Sequence, residues 1–228
     1  MDIKYIIDNN DNSLTEQFVN GGLSATTLSS TTITLTSNPV PGYVLTSDSN
    51  GNGSWSSPSD GFTYEIGQYV QSEGGVIYHR YMEGTTQKYL VVDTQDLSSG
   101  SVWSDVTNVE IGSSAQSRWN GSGNTTAITT QPGATTGAAF LCEGSTNNEK
   151  SDWYLPSIGE LVKIWDNQYE VSKGLEDASG NWFDSALYWS SMEFDSSTAW
   201  YFLFYNGTSD YSNKGFTFYV RAVRQFSI

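Results

Sequence analysis

The sequence predicts an α+β architecture: a globular domain over residues 62–228, preceded by a short β-rich anchor and stalk. Three observations carry this reading. Apolar runs of strand length at 64–70, 75–81 and 89–92, and again at 187–191, 199–205 and 216–223, flank a helical pattern. Strands, then helices, then strands indicate segregated elements and not a parallel sheet. The aromatic content (8 Trp, 14 Tyr and 10 Phe) is enough for a real core, since each ring buries roughly 150–250 Å². The texture also changes near Gly61, where Ser/Thr-rich sequence gives way to packed aromatic and aliphatic residues.

Residues 1–22 combine Tyr5-Ile6-Ile7 with Asn/Asp-rich turns and end at Gly21-Gly22. A docking peptide has that pattern. Asp2, Asp8 and Asp11 surround the apolar patch, which fits neither a signal peptide nor a membrane helix. Residues 23–37 are almost wholly Ser, Thr and aliphatic, a composition that favours extended structure. Leu23, Leu28, Ile33 and Leu35 are too sparse for one chain to bury. Identical copies would supply the missing partners, and 23–60 is expected to be a β-rich oligomerising stalk and collar. A flexible Ser/Thr linker is the alternative. Val44-Leu45-Thr46, a turn-rich 47–53 and Trp55 read as a hairpin.

In the domain, 124–131 and 135–143 are helix candidates around Pro132-Gly133. The most distinctive phrase is SDWYLPSIGEL, residues 151–161. Asp152 is placed to accept backbone N–H groups, Trp153 and Leu155 to enter the core, and Ser157 with Glu160 to form a capping box behind Pro156. Helix 158–170 then puts Leu161, Ile164, Trp165 and Gln168 on one face. At 219–224, alternation sets Tyr219, Arg221 and Val223 against Val220, Ala222 and Arg224. An arginine among apolar neighbours needs a partner, for which Glu160 or Asp152 is the candidate.

Charge and composition narrow the chemistry. Ten Lys+Arg against 25 Asp+Glu give −15, which repels phosphate backbones and anionic lipid; no nucleic acid and no membrane insertion are expected. Charged residues are 15%, below the usual ~25%, and small neutral polar residues suit a protein exposed to the outside. Cys142 is the single cysteine and His79 the single histidine, so disulfides, cysteine zinc sites and multi-histidine metal sites are excluded by count. Cys142 reads as a buried thiol. No Ser-His-acid set stands out, and Glu143, Glu149, Asp184, Glu193 and Asp195 show no spacing that favours paired-carboxylate hydrolysis. A cation among Asp184, Glu193, Asp195 and Asp210 stays open.

Several phrases fall in the order of one family. They are Ile66-Gly67, Gly74-Gly75-Val76-Ile77-Tyr78, Leu90-Val91-Val92, Trp103, Ile111-Gly112 and Asn124-Thr125 with Ile128. Asp152 to Ser157 with Glu160-Leu161, Tyr188-Trp189-Ser190-Ser191 and Tyr219 to Arg224 complete the set. Residues 62–228 resemble the C-type-lectin-fold domain at the C-terminus of collagen-like bacterial adhesins. GYVLTSDSNGNGSW, within 39–57, is similar to a short module of phage fibre and tail proteins. The resemblance implies a C-type-lectin-like fold and ligand binding. Formylglycine-generating enzymes share that fold but need a cysteine pair, which this chain lacks. It also lacks the Glu-Pro-Asn and Trp-Asn-Asp motifs of calcium-dependent sugar binding; Trp165-Asp166-Asn167 has the wrong order.

Between Asn181 and Gly215, aromatic residues interleave with Asn, Ser, Asp and Gly, the composition of recognition loops and sugar-stacking surfaces. The expected ligand-binding residues are Trp182, Tyr205, Asn206, Asp210, Tyr211 and Asn213, most of them in a loop at 205–215; a solvated hairpin turn is the plainer reading of that loop. No catalytic residue, metal or cofactor is expected. Together these readings describe a homotrimeric fibre protein of a tailed phage, located on the particle surface. Residues 1–22 would contact other virion proteins, and the head would meet a host surface glycan or protein. A bacterial cell-surface adhesin is the alternative, with an enzyme third.

Overall fold

The computed structural model describes residues 44–47, 53–56 and 61–228. The chain divides between Asp60 and Gly61 into two units. In the first, β1 (Val44–Ser47) and β2 (Gly53–Ser56) pair antiparallel with Leu45 opposite Trp55, which is the hairpin expected there. The docking peptide 1–22 and the Ser/Thr-rich stretch 23–37 lie outside the described residues.

The second unit opens with β3 (Tyr69–Val70), β4 (Gly75–Glu83), β5 (Thr86–Asp93) and β6 (Ser98–Val102). Four short helices follow: α1 (Gly121–Thr129), α2 (Ala138–Glu143), α3 (Ile158–Asp166) and α4 (Gln168–Asp177). Then come β7 (Leu187–Glu193), β8 (Thr198–Leu203), β9 (Thr208–Asn213), β10 (Thr217–Val220) and β11 (Val223–Ser227). The strands build two curled sheets, one ordered β6-β10-β7-β8-β9 and the other β11-β5-β4-β3. β10 runs parallel to β7, while β8 pairs antiparallel with both β7 and β9.

The α+β expectation is therefore corrected. The unit is mostly β, a sandwich-like pair of sheets with a few helices packed around it. The difference arises at polar segments. β6 (SSGSV) and β9 (TSDYSN) carry no apolar alternation, so they read as loops from sequence. Each nevertheless pairs antiparallel with a more apolar neighbour, β10 for β6 and β8 for β9. The run 216–223 also splits, because β10 and β11 belong to different sheets. The helix expected at 158–170 breaks at Asn167, whose side-chain amide donates to the carbonyls of Lys163 and Tyr78 at 3.1 Å each.

Both faces are buried over residues 75–78 of β4 and 89–93 of β5. Ile77, Tyr89 and Val91 join Trp103, Trp153 and Trp189 in one cluster. Val76, Tyr78, Leu90 and Val92 join Leu161, Ile164, Val171, Tyr188 and Phe202 in the other. Burial on both faces is why these strands read as unbroken apolar runs.

SDWYLPSIGEL locks the helix layer to the sheets. The Ser157 hydroxyl accepts from Glu160 N at 3.4 Å, and the Glu160 carboxylate accepts from Ser157 N at 2.7 Å. The Tyr154 hydroxyl donates to Glu160 Oε1 at 2.7 Å, while Tyr154 exchanges backbone bonds with Val223. Asp152 takes both Nε and Nη2 of Arg224, at 2.5 and 2.9 Å. It does not serve Arg221, and neither does Glu160; Arg221 pairs with Asp96 at 2.6 Å. The expected partner is wrong because Arg221 sits in the break between β10 and β11, where strand alternation no longer sets the side-chain direction.

A second buried cation closes the other end of β10. Lys214 is fully buried against fully buried Glu193, with Nζ–Oε1 at 2.7 Å. Its ammonium also donates to Ser196 O and Val109 O and lies 5.0 Å from the Trp103 ring centroid. Glu193 in turn accepts from Ile111 N and Gly112 N. The pair thus fixes the long connection between β6 and α1.

Two measurements test these assignments. Lys214→Met leaves Glu193 buried without its counter-ion and is expected to lower unfolding free energy by about 3–5 kcal/mol in urea titration; a loss under about 1 kcal/mol would contradict the tie. Burial raises the Glu160 carboxyl above its ordinary 4.5, against the hydrogen bonds that favour its charged form. Above about pH 4.5 the folded protein then holds a proton that the unfolded chain releases, so this residue's contribution to stability falls as pH rises. The stability of the wild type relative to Glu160→Gln should therefore decline as pH rises above about 4.5. A flat difference across guanidinium melts would refute the assignment.

Candidate functional site

The connection between α4 and β7 carries Trp182, and Arg221 holds its backbone. From a side chain 1% exposed, the guanidinium donates to Asn181 O at 2.6 Å, to Trp182 O at 3.3 Å and to Asp96 Oδ1 at 2.6 Å. It also lies 4.3 Å from the Phe183 ring centroid, and Phe183 stacks on Phe204 at 4.2 Å. Tyr188 Oη donates to Asp96 and accepts from Asp184 N, and burial with the Asp96 charge pushes its pKa far up. The segment is rigidly seated, yet the Trp182 side chain is 59% exposed.

Trp182 is one of the residues that line a cavity of about 210 Å³. Ile164, Val171, Phe183 and Phe204 supply its apolar wall, and Gln168, Ser172 and Ser185 its polar groups. None of these residues is charged. The neighbouring turn after β8 presents Tyr205, 73% exposed, while Asn206 Oδ1 accepts from the Thr208 backbone and hydroxyl. Gly207 completes the turn at φ +75, and a Cβ there would collide with the Trp165 indole. Only glycine fits both the conformation and the contact.

Residues 205–215 are not one loop. Most of the stretch is β9, the edge strand beside β8, with Tyr211 opposite Trp200 and Asp210 opposite Tyr201. Tyr211 stacks on Phe194, whereas Asp210 points to the other face and its charge raises the pKa of Tyr201, after the effect of burial. Asn213 Oδ1 accepts from Gly215 N, closing the next turn. The six expected residues thus fall into groups: Trp182 lines the cavity, Tyr205 and Asn206 follow its lining residue Phe204 in the chain, Tyr211 is at a second aromatic cluster, and Asp210 and Asn213 belong to neither. Sequence reasoning missed Phe194, Phe204 and the polar trio Gln168, Ser172 and Ser185. Phe194 could have been noticed as a lone ring in a polar turn; the trio had no signal, because serines and a glutamine are common everywhere.

Several titratable groups are engaged away from the cavity. Glu193 is tied to Lys214, and Asp195 accepts four bonds from Ser197 and Thr198, which hold its pKa below the usual range. Glu143 accepts from the Thr129 hydroxyl. Cys142 is fully buried and its thiol is pushed well up by that burial. His79 stacks on Tyr81, and burial together with Lys163 lowers its pKa. Among the described residues no three His, Cys, Asp or Glu side chains group as a metal site, and no helix is long and apolar enough to cross a membrane.

Residues 93–224 match the family model of the Lcl C-terminal domain, and the chain belongs to that family, a C-type-lectin-like one. The matched span contains every expected site residue. No curated protein matches the chain.

The Arg221 fork predicts a selective loss. Arg221→Lys keeps the charge but cannot reach Asp96 and both carbonyls together. Hydrogen exchange of residues 181–186 should accelerate, with global stability falling by about 1–3 kcal/mol. Unchanged exchange in that segment would show that the fork does not hold it.

Proposed function

We propose that this chain is a non-enzymatic adhesion protein whose lectin-like domain recognises neutral surface glycans at the Trp182 cavity. The observation that carries the reading is an exposed aromatic ring lining a small pocket whose polar groups are all uncharged. Sugars offer hydroxyls to such groups and C–H faces to such rings. A chain with a net charge of −15 favours neutral ligands over polyanions. The membership in a lectin-like adhesion family points the same way.

The setting we propose is the surface of a tailed-phage particle. The likeness of GYVLTSDSNGNGSW to phage fibre modules supports it, as does the sparse apolar content of 23–37, which suits intertwined copies. In this reading residues 1–22 dock on other virion proteins, 23–60 form a trimeric stalk, and many heads act by avidity.

A glycan array probed with the full chain, with and without calcium, tests the ligand. Neutral glycans should bind, and Trp182→Ala should weaken them about tenfold or more. A blank array in both conditions would overturn glycan recognition. Cofractionation with purified virions supports the fibre reading; recovery with bacterial cell envelopes instead supports a cell-surface adhesin.

A further inference from the structure

A second cavity, of about 400 Å³, shares no lining residue with the one at Trp182. That volume falls within the roughly 300–1,000 Å³ of small-ligand sites. One wall is the connection after β6, through Val109, Glu110 and Ile111, and the other is the C-terminal end of α1, through Ala127, Gln131 and Pro132. Both walls are held from behind. Val109 O accepts from Lys214 Nζ at 3.3 Å and from Gln131 Nε2 at 3.1 Å, and Glu193 accepts from Ile111 N at 3.0 Å. Gln131 therefore ties α1 to the connection.

Two groups of this lining have unmet demands. Gln131 is 7% exposed, yet its Oε1 has no hydrogen-bond partner among the described residues. A buried acceptor left unpaired is costly, and a donor carried by a ligand removes that cost. Glu110 is the charged residue of the lining and is itself exposed. Its carboxylate accepts from Gln116 Nε2 at 3.2 Å and forms no ion pair among the described residues. The end of α1 adds backbone dipoles that favour positive charge. No lysine, arginine or histidine lines the cavity to compete for these acceptors. Val109, Ile111, Ala127 and Pro132 complete it with apolar surface, and Val109 is 52% exposed.

We infer that this cavity is a second ligand site, which takes a primary ammonium carried on an apolar alkyl stem. Glu110 serves as counter-ion, Gln131 Oε1 accepts one of the three ammonium donors, and the apolar residues receive the stem. A carboxylate or phosphate ligand would meet Glu110 with like charge, on a chain whose net charge of −15 already repels it. The site is independent of glycan recognition at Trp182.

Amide chemical-shift titration of the isotope-labelled full chain with n-hexylammonium, n-hexanol and n-hexanoate tests the inference, because it reads both affinity and place. Hexylammonium should shift residues 109–114 and 127–132 and bind about tenfold or more tighter than hexanol, while hexanoate should not bind. Glu110→Gln, at an exposed position, should weaken hexylammonium about tenfold and leave hexanol unchanged. Gln131→Met should also weaken hexylammonium, Ala127→Phe should block both ligands by filling the cavity, and Trp182→Ala should affect neither. Thermal melts establish that the variants fold; Glu110→Gln carries the test if the other two lining variants do not. A capped peptide with one lysine, titrated beside the free amine, distinguishes a partner's lysine side chain from a small amine, and binding of either supports the inference. Equal affinity for hexanol and hexylammonium, shifts confined to other residues, or no binding of any probe overturns it. Ammonium binding that Glu110→Gln leaves unchanged overturns it as well.

Discussion

Arg221 ties the connection before β7, the Asp96 turn and the break between β10 and β11 to one another. A fully desolvated guanidinium is tolerated only if its donors are met, and here they are met by a carboxylate and two backbone carbonyls from distant parts of the chain. Meeting them draws the 181–182 connection onto the break between β10 and β11 and places Phe183 against the cation. Lys214 does the same at the other end of β10, drawing in Glu193 and the carbonyls of Val109 and Ser196. A chain with ten basic residues has thus placed two of them at the ends of one short strand. Between them they fix connections that have little regular structure of their own.

That arrangement explains how a rigid scaffold can offer an adaptable surface. Trp182 has an immobilised backbone and an exposed ring, so a ligand would meet a preorganised face with little further ordering cost. The hairpin beside it is constrained differently. Gly207, in the turn between β8 and β9, sits where the Trp165 indole leaves no room for a side chain. The uncharged lining of the cavity and the acidic balance of the whole chain act together: stacking and hydrogen bonding remain available, while attraction of polyanions does not.

Much of the interior was legible beforehand. The capping box at Ser157 and Glu160, the core roles of Trp153 and Leu155, and the buried thiol of Cys142 follow from local chemistry that needs no distant partner. The same holds for Val76-Ile77-Tyr78 and Tyr89 to Val92, whose continuous apolar character reports burial on both faces. The α+β reading failed where strand formation depends on a neighbour. Ser98–Val102 and Thr208–Asn213 are polar, and only the ladders of β10 and β8 make them strands. The Arg221 partner failed for a related reason. Strand alternation does not carry across 219–224, because the chain changes sheets there.

The sequence alone determined the family-level identity of the domain, its single cysteine and single histidine, and the region where exposed aromatics would gather. These are properties of residue type, count and order, which survive without coordinates. Tertiary structure decided which aromatics face the same way, which acids are spent on internal cations, and where a pocket opens. Trp182 and Phe204 stand 22 positions apart, and Phe194 and Tyr211 stand 17 apart. Their meeting is set by sheet pairing and buried charge, and neither is written in any local pattern.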